Sequence, residues 1–197
     1  MRIREVMSSP VVSVTRQTTI KEAALLLVER GFNALPVVDG DELVGIVTEA
    51  DLVPLESRPD PRSHMLPVPA DSAPVPHTVD EVMTRDVITL PVEEDAALAA
   101  HLMLRRRLRS IPITARNRLV GIITRRDLLR VLARPDDDIR RELVVLLADE
   151  LPDACVKVGV ADGIVTLGFR SWLGPRDRRI AELLAGTVPG VRQVRGD

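Results

Sequence analysis

The chain has 197 residues, of which 45% are hydrophobic and 28% charged, and its formal net charge is −2. This composition is typical of a folded globular protein and excludes a disordered or fibrous one. Three aromatic residues and no basic excess argue against a nucleic-acid partner. The single cysteine and three scattered histidines predict neither an intrachain disulfide nor a metal site, and the charged N-terminus and short apolar runs predict a cytoplasmic protein.

An internal repeat defines the expected architecture. A shift of 76 residues aligns residues 6–52 with residues 82–128 without a gap, and 15 of the 47 positions are identical. The segment LPVVDGDELVGIVTEADL returns as IPITARNRLVGIITRRDL. Each copy is therefore expected to be one structural unit.

The first copy begins with a predicted strand and helix. The strand is indicated by closely spaced valines, Val11, Val12 and Val14. Thr19 followed by Glu22 is a capping-box pattern, which predicts a helix over residues 20–30.

A hairpin and a short helix complete each copy. The runs 35–38 and 43–47 are rich in strand-forming residues and flank the turn sequence Asp39-Gly40-Asp41, so they predict a hairpin. Thr48 then begins a short helix. The second copy repeats this order and ends in a helix over residues 124–133, which predicts an α/β protein with two repeats of strand, helix, strand, strand and helix.

The two copies occupy residues 1–58 and 78–134 in this interpretation, with a linker over residues 59–77. Seven of the 15 prolines fall within residues 53–81. Proline removes backbone donors and favours extended conformations, so the linker is expected to be exposed.

After the second copy the pattern changes, and residues 136–197 are expected to form a small third domain. Pro135 and the three aspartates that follow it predict a boundary before an N-capped helix over residues 139–151. Alternating apolar residues around Asp162-Gly163 predict a hairpin. A helix from Gly174-Pro175 to Gly186 and a strand over residues 188–194 complete the order helix, strand, strand, helix, strand.

The two copies resemble tandem CBS domains, paired modules found in regulatory proteins, enzymes and transporters. The resemblance covers residues 1–134 and rests on VMSSPVV and VMTRDVI, on LPVV and IPIT, and above all on GIVTEAD and GIITRRD. It implies a ligand-sensing regulatory protein. In the same direction, the sequence contains no nucleophile elbow and no glycine-rich phosphate loop, so we expect no enzymatic activity.

Two Thr-x-x-Asp sequences, Thr48 with Asp51 and Thr124 with Asp127, are candidate nucleotide clamps. A threonine at a helix start lies beside unpaired backbone N–H groups that suit a phosphate. A carboxylate three residues later can accept hydrogen bonds from two ribose hydroxyls. The same arrangement also caps a helix without any ligand, and the CBS resemblance favours the ligand interpretation.

The resemblance also implies an adenine pocket in each copy, lined by backbone and apolar side chains. The residues that it implies are Thr18, Ala23, Phe32, Asn33 and Ile46 in the first copy and Ala99, Leu108, Arg109 and Ile122 in the second. Core packing alone would explain the apolar members of this set equally well.

The two copies differ in charge. Residues 97–134 carry a formal charge of +9, whereas the matching residues 21–58 carry −5. One hypothesis is that Arg109, Arg125 and Arg126 attract a phosphorylated ligand, since guanidinium groups match phosphate geometry. This hypothesis predicts that the second clamp prefers di- or triphosphates. The alternative is a solvated surface or a contact between the copies.

Residues 136–197 resemble a BON domain, a small bacterial module often associated with cell envelopes and proposed to bind phospholipid. The resemblance rests on V-x-V-x-V, DGIVTLG and VPGVRQV. Trp172 is interpreted either as an exposed anchor or as a ring packed under the helix, and we expect the packed ring.

The expected function is regulatory sensing of an adenine nucleotide, AMP, ADP or ATP, with S-adenosylmethionine as a further candidate and no catalytic cofactor. Ala-rich helix faces predict a homodimer, and the BON-like domain is expected to bind phospholipid or an envelope protein. The chief alternative is a structural adaptor that dimerises through the CBS pair without a ligand. A third class, DNA binding through the arginine-rich copy, lacks a recognition-helix motif.

Overall fold

A computed structural model describes residues 1–56, 75–152, 156–170 and 172–196. Its helices are α1 (Ile20–Arg30), α2 (Glu49–Leu52), α3 (Ala96–Arg105), α4 (Arg125–Leu132), α5 (Asp136–Glu150) and α6 (Pro175–Ala185). Its strands are β1 (Ala34–Asp39), β2 (Glu42–Thr48), β3 (Leu90–Pro91), β4 (Ser110–Ala115), β5 (Arg118–Thr124), β6 (Lys157–Ala161), β7 (Ile164–Gly168) and β8 (Gln193–Gly196). The chain divides into two units, which are Ser8–Val92 with Met103–Ile123, and Met1–Met7 with Glu93–Leu102 and Thr124–Asp197.

A five-stranded sheet of order β1-β2-β5-β4-β3 dominates the Ser8–Val92 unit. The β1–β2 hairpin is antiparallel and turns at Gly40, whose φ of +61° favours glycine. Helix α1 packs Ala23 and Leu27 into a core with Leu35 and Val37 of β1. The hairpin predicted around Gly40 is therefore confirmed.

Helix α1 begins and ends at local signals in the sequence. The Thr19 Oγ1 accepts a hydrogen bond from the Glu22 backbone at 3.2 Å, and Glu22 Oε2 accepts one from the Thr19 backbone at 2.9 Å. The helix ends at Gly31 in a left-handed conformation. The predicted helix over residues 20–30 is confirmed.

Two backbone bridges join the two copies within the same unit, and they lie at equivalent positions of the repeat. Ile46 of β2 forms an antiparallel bridge with Thr84, and Ser8 forms one with Ile122 of β5. The repeat shift of 76 residues converts one pair into the other. The opening segment of each copy therefore pairs with the hairpin of the other copy.

The first predicted strand of copy one is much shorter than expected. Only Val14 pairs, through one parallel bridge to Val37. Immediately after it, Thr18 N donates to Thr15 O and closes a turn. The pairing with β1 therefore does not continue beyond Val14 toward Thr18.

The second unit contains a three-stranded sheet of order β6-β7-β8, with β7 antiparallel to β6 and parallel to β8. The turn at Asp162 and Gly163 has φ angles of +51° and +70°, which confirms the predicted hairpin. Leu143 of α5 packs with Val165 and Leu167 of β7 in a separate core. The predicted order of helix, strand, strand, helix and strand is confirmed.

Three local expectations for this region are wrong. Helix α5 begins at Asp136 rather than residue 139, because the three aspartates occupy its first turn, where negative charge is favourable. Strand β8 begins at Gln193 rather than residue 188, because Val188 is buried in the core before the chain turns at Gly190. Trp172 is 59% exposed, and its neighbour Leu173 is the buried side chain.

The α/β class and the element order expected for the repeats and the small domain are confirmed. Most of the proline-rich linker, with His64, and also Cys155 lie outside the described residues. No helix in the described ranges has the length and apolar character needed to cross a bilayer.

Candidate functional site

A cavity of about 550 Å³ lies in the Ser8–Val92 and Met103–Ile123 unit, a volume typical of small-molecule pockets. Both copies line it. The first copy contributes Asn33, Ile46, Thr48, Glu49, Ala50 and Val53, and the second contributes Thr84, Asp86, Val87, Ile88, Arg107, Leu108, Arg109, Ser110 and Pro112. A molecule in this cavity would contact both copies at once.

Thr48 is the polar residue at the junction of β2 and α2. Its backbone N and its Oγ1 both donate to Oδ2 of Asp51, each at 2.7 Å. A threonine hydroxyl has one proton and two lone pairs, so the Thr48 Oγ1 keeps a lone pair that can accept a hydrogen bond from a ligand. Asp51 does not itself line the cavity, and it holds the hydroxyl of Thr48 in place.

The charged side chains around the cavity are balanced. Arg109 Nη1 donates to Glu49 Oε2 at 2.9 Å, and Arg107 and Asp86 add one further charge of each sign. The walls also include the apolar side chains of Ile46 and Val87. This arrangement can enclose a flat apolar ring and accept hydrogen bonds from hydroxyl or amino groups.

The second clamp has the same core geometry but additional partners. Thr124 N and Oγ1 donate to Asp127 Oδ2 at 2.8 Å and 2.6 Å, and Asp127 N donates back to Thr124 Oγ1 at 3.3 Å. Arg130 Nη1 donates to the other carboxylate oxygen, Oδ1, at 2.9 Å. Asp127 is 4% exposed, so this carboxylate is buried and both its oxygens are bonded.

Four of the residues predicted for the two adenine pockets and one residue of the first predicted clamp line this one cavity. They are Asn33, Ile46, Thr48, Leu108 and Arg109. The sequence assigned the first three to one copy and the last two to the other, and the structure places them together.

The other predicted residues lie outside the cavity lining. Ala23 and Ala99 are fully buried, and Phe32 packs against the core that contains Ala23. Thr18 Oγ1 accepts a hydrogen bond from Thr15 N at 3.0 Å, and Ile122 pairs with Ser8, as described above.

Arg125 and Arg126, with the Thr124–Asp127 clamp, lie in the first turn of α4, in the other unit. Both arginines are exposed.

Sequence reasoning missed one wall of the cavity, which is formed by Thr84 to Ile88. Nothing in the local pattern of this segment shows that it faces the hairpin of the other copy. The internal duplication was the signal that could have predicted this wall, because the opening segment of one copy can pair with the hairpin of a similar copy. Among the described residues, no group of three or more His, Cys, Asp or Glu side chains could hold a metal ion.

Both copies of the repeat match a known protein family. The CBS domain model matches residues 3–56 and 79–134. YlbB of Bacillus subtilis is 34% identical over 131 residues, which cover 64% of this chain and 79% of YlbB. Inosine-5'-monophosphate dehydrogenase of Methanocaldococcus jannaschii is 33% identical over 128 residues, which cover 64% of this chain but 22% of the dehydrogenase.

A solved structure has a similar fold. The CBS domain pair of protein MJ0100, in complex with 5'-methylthioadenosine and S-adenosyl-L-methionine, has a TM-score of 0.55 and 28% identity. The match covers 68% of this chain and 96% of that domain pair. With two family matches, which together cover more than half of its residues, this chain belongs to the CBS domain family.

Proposed function

We propose that this protein is a regulatory sensor, not an enzyme, and that it binds an adenosine-containing small molecule in the cavity beside Thr48. The observation that carries the proposal is the lining of one cavity by both copies, with Ile46 and Thr48 from the first and Thr84 and Pro112 from the second. A ligand there favours whichever arrangement of the two copies it contacts best, which is how a binding event becomes a signal.

The chemistry of the cavity supports an adenosine ligand. Apolar side chains such as Ile46 and Val87 can contact both faces of a purine, and the Thr48 Oγ1 can accept a hydrogen bond from a ribose hydroxyl. The related CBS pair of MJ0100 binds two adenosine derivatives, which supports the same ligand class here.

The charge of the cavity favours a ligand with few phosphates. Arg109 is already paired with Glu49, and a polyphosphate would have to compete with this carboxylate. The proton of Thr48 points to Asp51, so the hydroxyl has none to offer a phosphate oxygen. We therefore rank methylthioadenosine, S-adenosylmethionine and AMP before ADP and ATP.

Isothermal titration calorimetry with methylthioadenosine, S-adenosylmethionine, AMP and ATP tests this proposal. We expect at least one of the first three to bind. Thr48→Val should lower the affinity for that ligand by about tenfold, since a lost hydrogen bond is worth about 1.4 kcal/mol. Thr166→Val, on the exposed face of β7, is the matched control. Absence of binding by all four, or an unchanged affinity in Thr48→Val, would contradict the proposal.

We propose in addition that the protein is a homodimer. Exposed apolar side chains on α1 and on the end of α3, namely Leu25, Val28 and Leu104, support an interface of helices. Light scattering should give twice the chain mass of 21.7 kDa. A monomer mass at micromolar concentration would reject the dimer, and a dimer that binds no adenosine ligand would favour the structural adaptor.

The C-terminal elements support a third part of the proposal, a BON-like module for lipid or protein interaction. Its helix, strand, strand, helix, strand order and the exposed Trp172 are the observations in favour. Vesicle flotation with anionic and with neutral lipid would test the lipid partner, with Trp172→Ala expected to reduce binding. Binding to neither vesicle would exclude it.

A further inference from the structure

The two clamps differ at the position three residues after the carboxylate. In the second copy this position is Arg130, whose Nη1 lies 2.9 Å from Oδ1 of Asp127. The equivalent position in the first copy is Pro54, whose side chain has no donor. At this position of the repeat the second copy therefore carries a cation and the first copy does not.

This difference changes what each carboxylate can bind. Oδ1 of Asp127 is held by Arg130, Oδ2 is held by Thr124, and the side chain is 4% exposed. Asp51 is only partly buried, and no donor from the described residues contacts its Oδ1. Only the first clamp keeps an unoccupied acceptor oxygen.

We infer that Arg130 closes the second clamp, so that each chain binds one adenosine ligand, at the first clamp and its cavity. This inference rests on the proposed function and specifies its stoichiometry. A ribose hydroxyl at Asp127 would have to displace a charge-assisted hydrogen bond, and such bonds are about twice as strong as neutral ones. At the first clamp the cavity presents Thr48 rather than Asp51, so a ligand there has no such bond to break.

The inference reverses the ranking that the arginine content of the second copy predicts. Arg125 and Arg126 lie beside the Asp127 clamp, and their charge alone would make it the stronger phosphate site. Arg130 belongs to the same positive group but points its guanidinium at the clamp itself. One member of the group thus blocks the acceptor that the clamp would offer to a ribose.

The test is the number of methylthioadenosine molecules bound per chain, measured by calorimetry and native mass spectrometry on the full chain. We expect one in the wild-type protein and two in Arg130→Ala. Arg126→Ala is the matched control, because it removes the same charge from the same helix and Arg126 forms no ion pair with any described residue. It should still bind one.

Two molecules per wild-type chain, or one in a folded Arg130→Ala variant, would overturn the inference. No binding by wild type up to millimolar ligand would instead overturn the proposed function, which separates the two failures. Circular dichroism confirms folding of each variant.

A converse substitution tests the same idea at the first clamp. Pro54→Arg introduces a cation three residues after Asp51 and should weaken methylthioadenosine binding at least fivefold, whereas Pro54→Ala should not. Equal affinity in Pro54→Arg and Pro54→Ala would count against the inference.

Discussion

The backbones of Ile46 and Thr84 exchange two hydrogen bonds of 2.9 Å. This pairing holds in place Thr84, which lines the cavity together with Thr48. Gly45 makes the approach feasible, because a Cβ there would lie 2.5 Å from Met83 Sδ and 3.1 Å from the carbonyl oxygen of Thr84. The absence of a side chain at Gly45 is therefore a requirement of the site as well as of the sheet.

Gly45→Ala is expected to lower the free energy of unfolding by about 1–3 kcal/mol, the usual cost of overpacking. It should also weaken ligand binding, because the Thr84 wall must move. Urea denaturation and calorimetry measure the two effects. Gly159→Ala is the control, since its nearest neighbour would be Thr166 O at 3.8 Å. Equal stability of the two variants would contradict the steric argument.

Asp80 should stabilise the fold in a pH-dependent way. Hydrogen bonding from Arg85, and secondarily from Arg16, lowers the pKa of Asp80 below its usual value of 3.8. A carboxylate with a lowered pKa in the folded state contributes stability above the unfolded pKa and loses it as the pH falls through the folded pKa. Asp80→Asn should therefore have a lower Tm than wild type at pH 7.

The difference in Tm between Asp80→Asn and wild type should shrink below about pH 4. Asp39→Asn is the control, because Asp39 is exposed and forms no ion pair with a described residue. A constant difference from pH 7 to pH 2 would contradict the assignment to Asp80.

Asp136 should hold the β6–β7 turn. Its two carboxylate oxygens accept hydrogen bonds from the backbone N atoms of Asp162 and Gly163, at 2.7 Å and 2.9 Å. Asp136→Ala is expected to cost about 1.5–3 kcal/mol of unfolding free energy, the range for hydrogen bonds to charged groups. Faster hydrogen exchange at the amides of Asp162 and Gly163 would locate the effect.

Asp137→Ala is the control for Asp136→Ala. Asp137 is 82% exposed and pairs with Arg140 at 3.3 Å, so its loss should change stability by about 0.5 kcal/mol or less. Similar costs for the two variants would show that the effect comes from charge at the start of α5 and not from the turn.

A chain that ends after Arg134 is expected to fold and to bind the ligand. Each residue that lines the cavity precedes residue 113, and the second CBS match ends at residue 134. Circular dichroism and calorimetry on the shortened chain are the measurements. An unfolded product would show that the C-terminal elements share a core with the second copy.

Short sequence motifs predicted the start of α1 and the hairpin turns, because these features depend on interactions between residues that are close in sequence. Thr19 and Glu22 cap α1, and the turns at Gly40 and Asp162-Gly163 use positive φ angles that their residue types favour. The start of β8 and the exposure of Trp172 were not predictable in this way, because they depend on which of several neighbouring apolar side chains packs into the core.

The candidate site was predictable only in part, for a similar reason. Thr48 and Ile46 were found from a motif, but the pairing of Ile46 with Thr84 is formed between the two copies and is not encoded within either copy alone. The contact between Arg130 and Asp127 could have been found, since residues three apart share one face of a helix. The summed charge of the second copy gives no indication of this single contact.

The exchange between the copies also has a consequence for synthesis of the chain. The Ser9 Oγ donates to the carbonyl oxygen of Val120, 111 residues away, and Ser8 pairs with Ile122. At ribosomal rates of roughly 5–20 residues per second, Ile122 is synthesised about 6 to 23 seconds after Ser8. Until Thr84 is synthesised, β2 also lacks its partner from the second copy. The nascent first copy therefore has an unpaired strand edge that a chaperone or another nascent chain can bind.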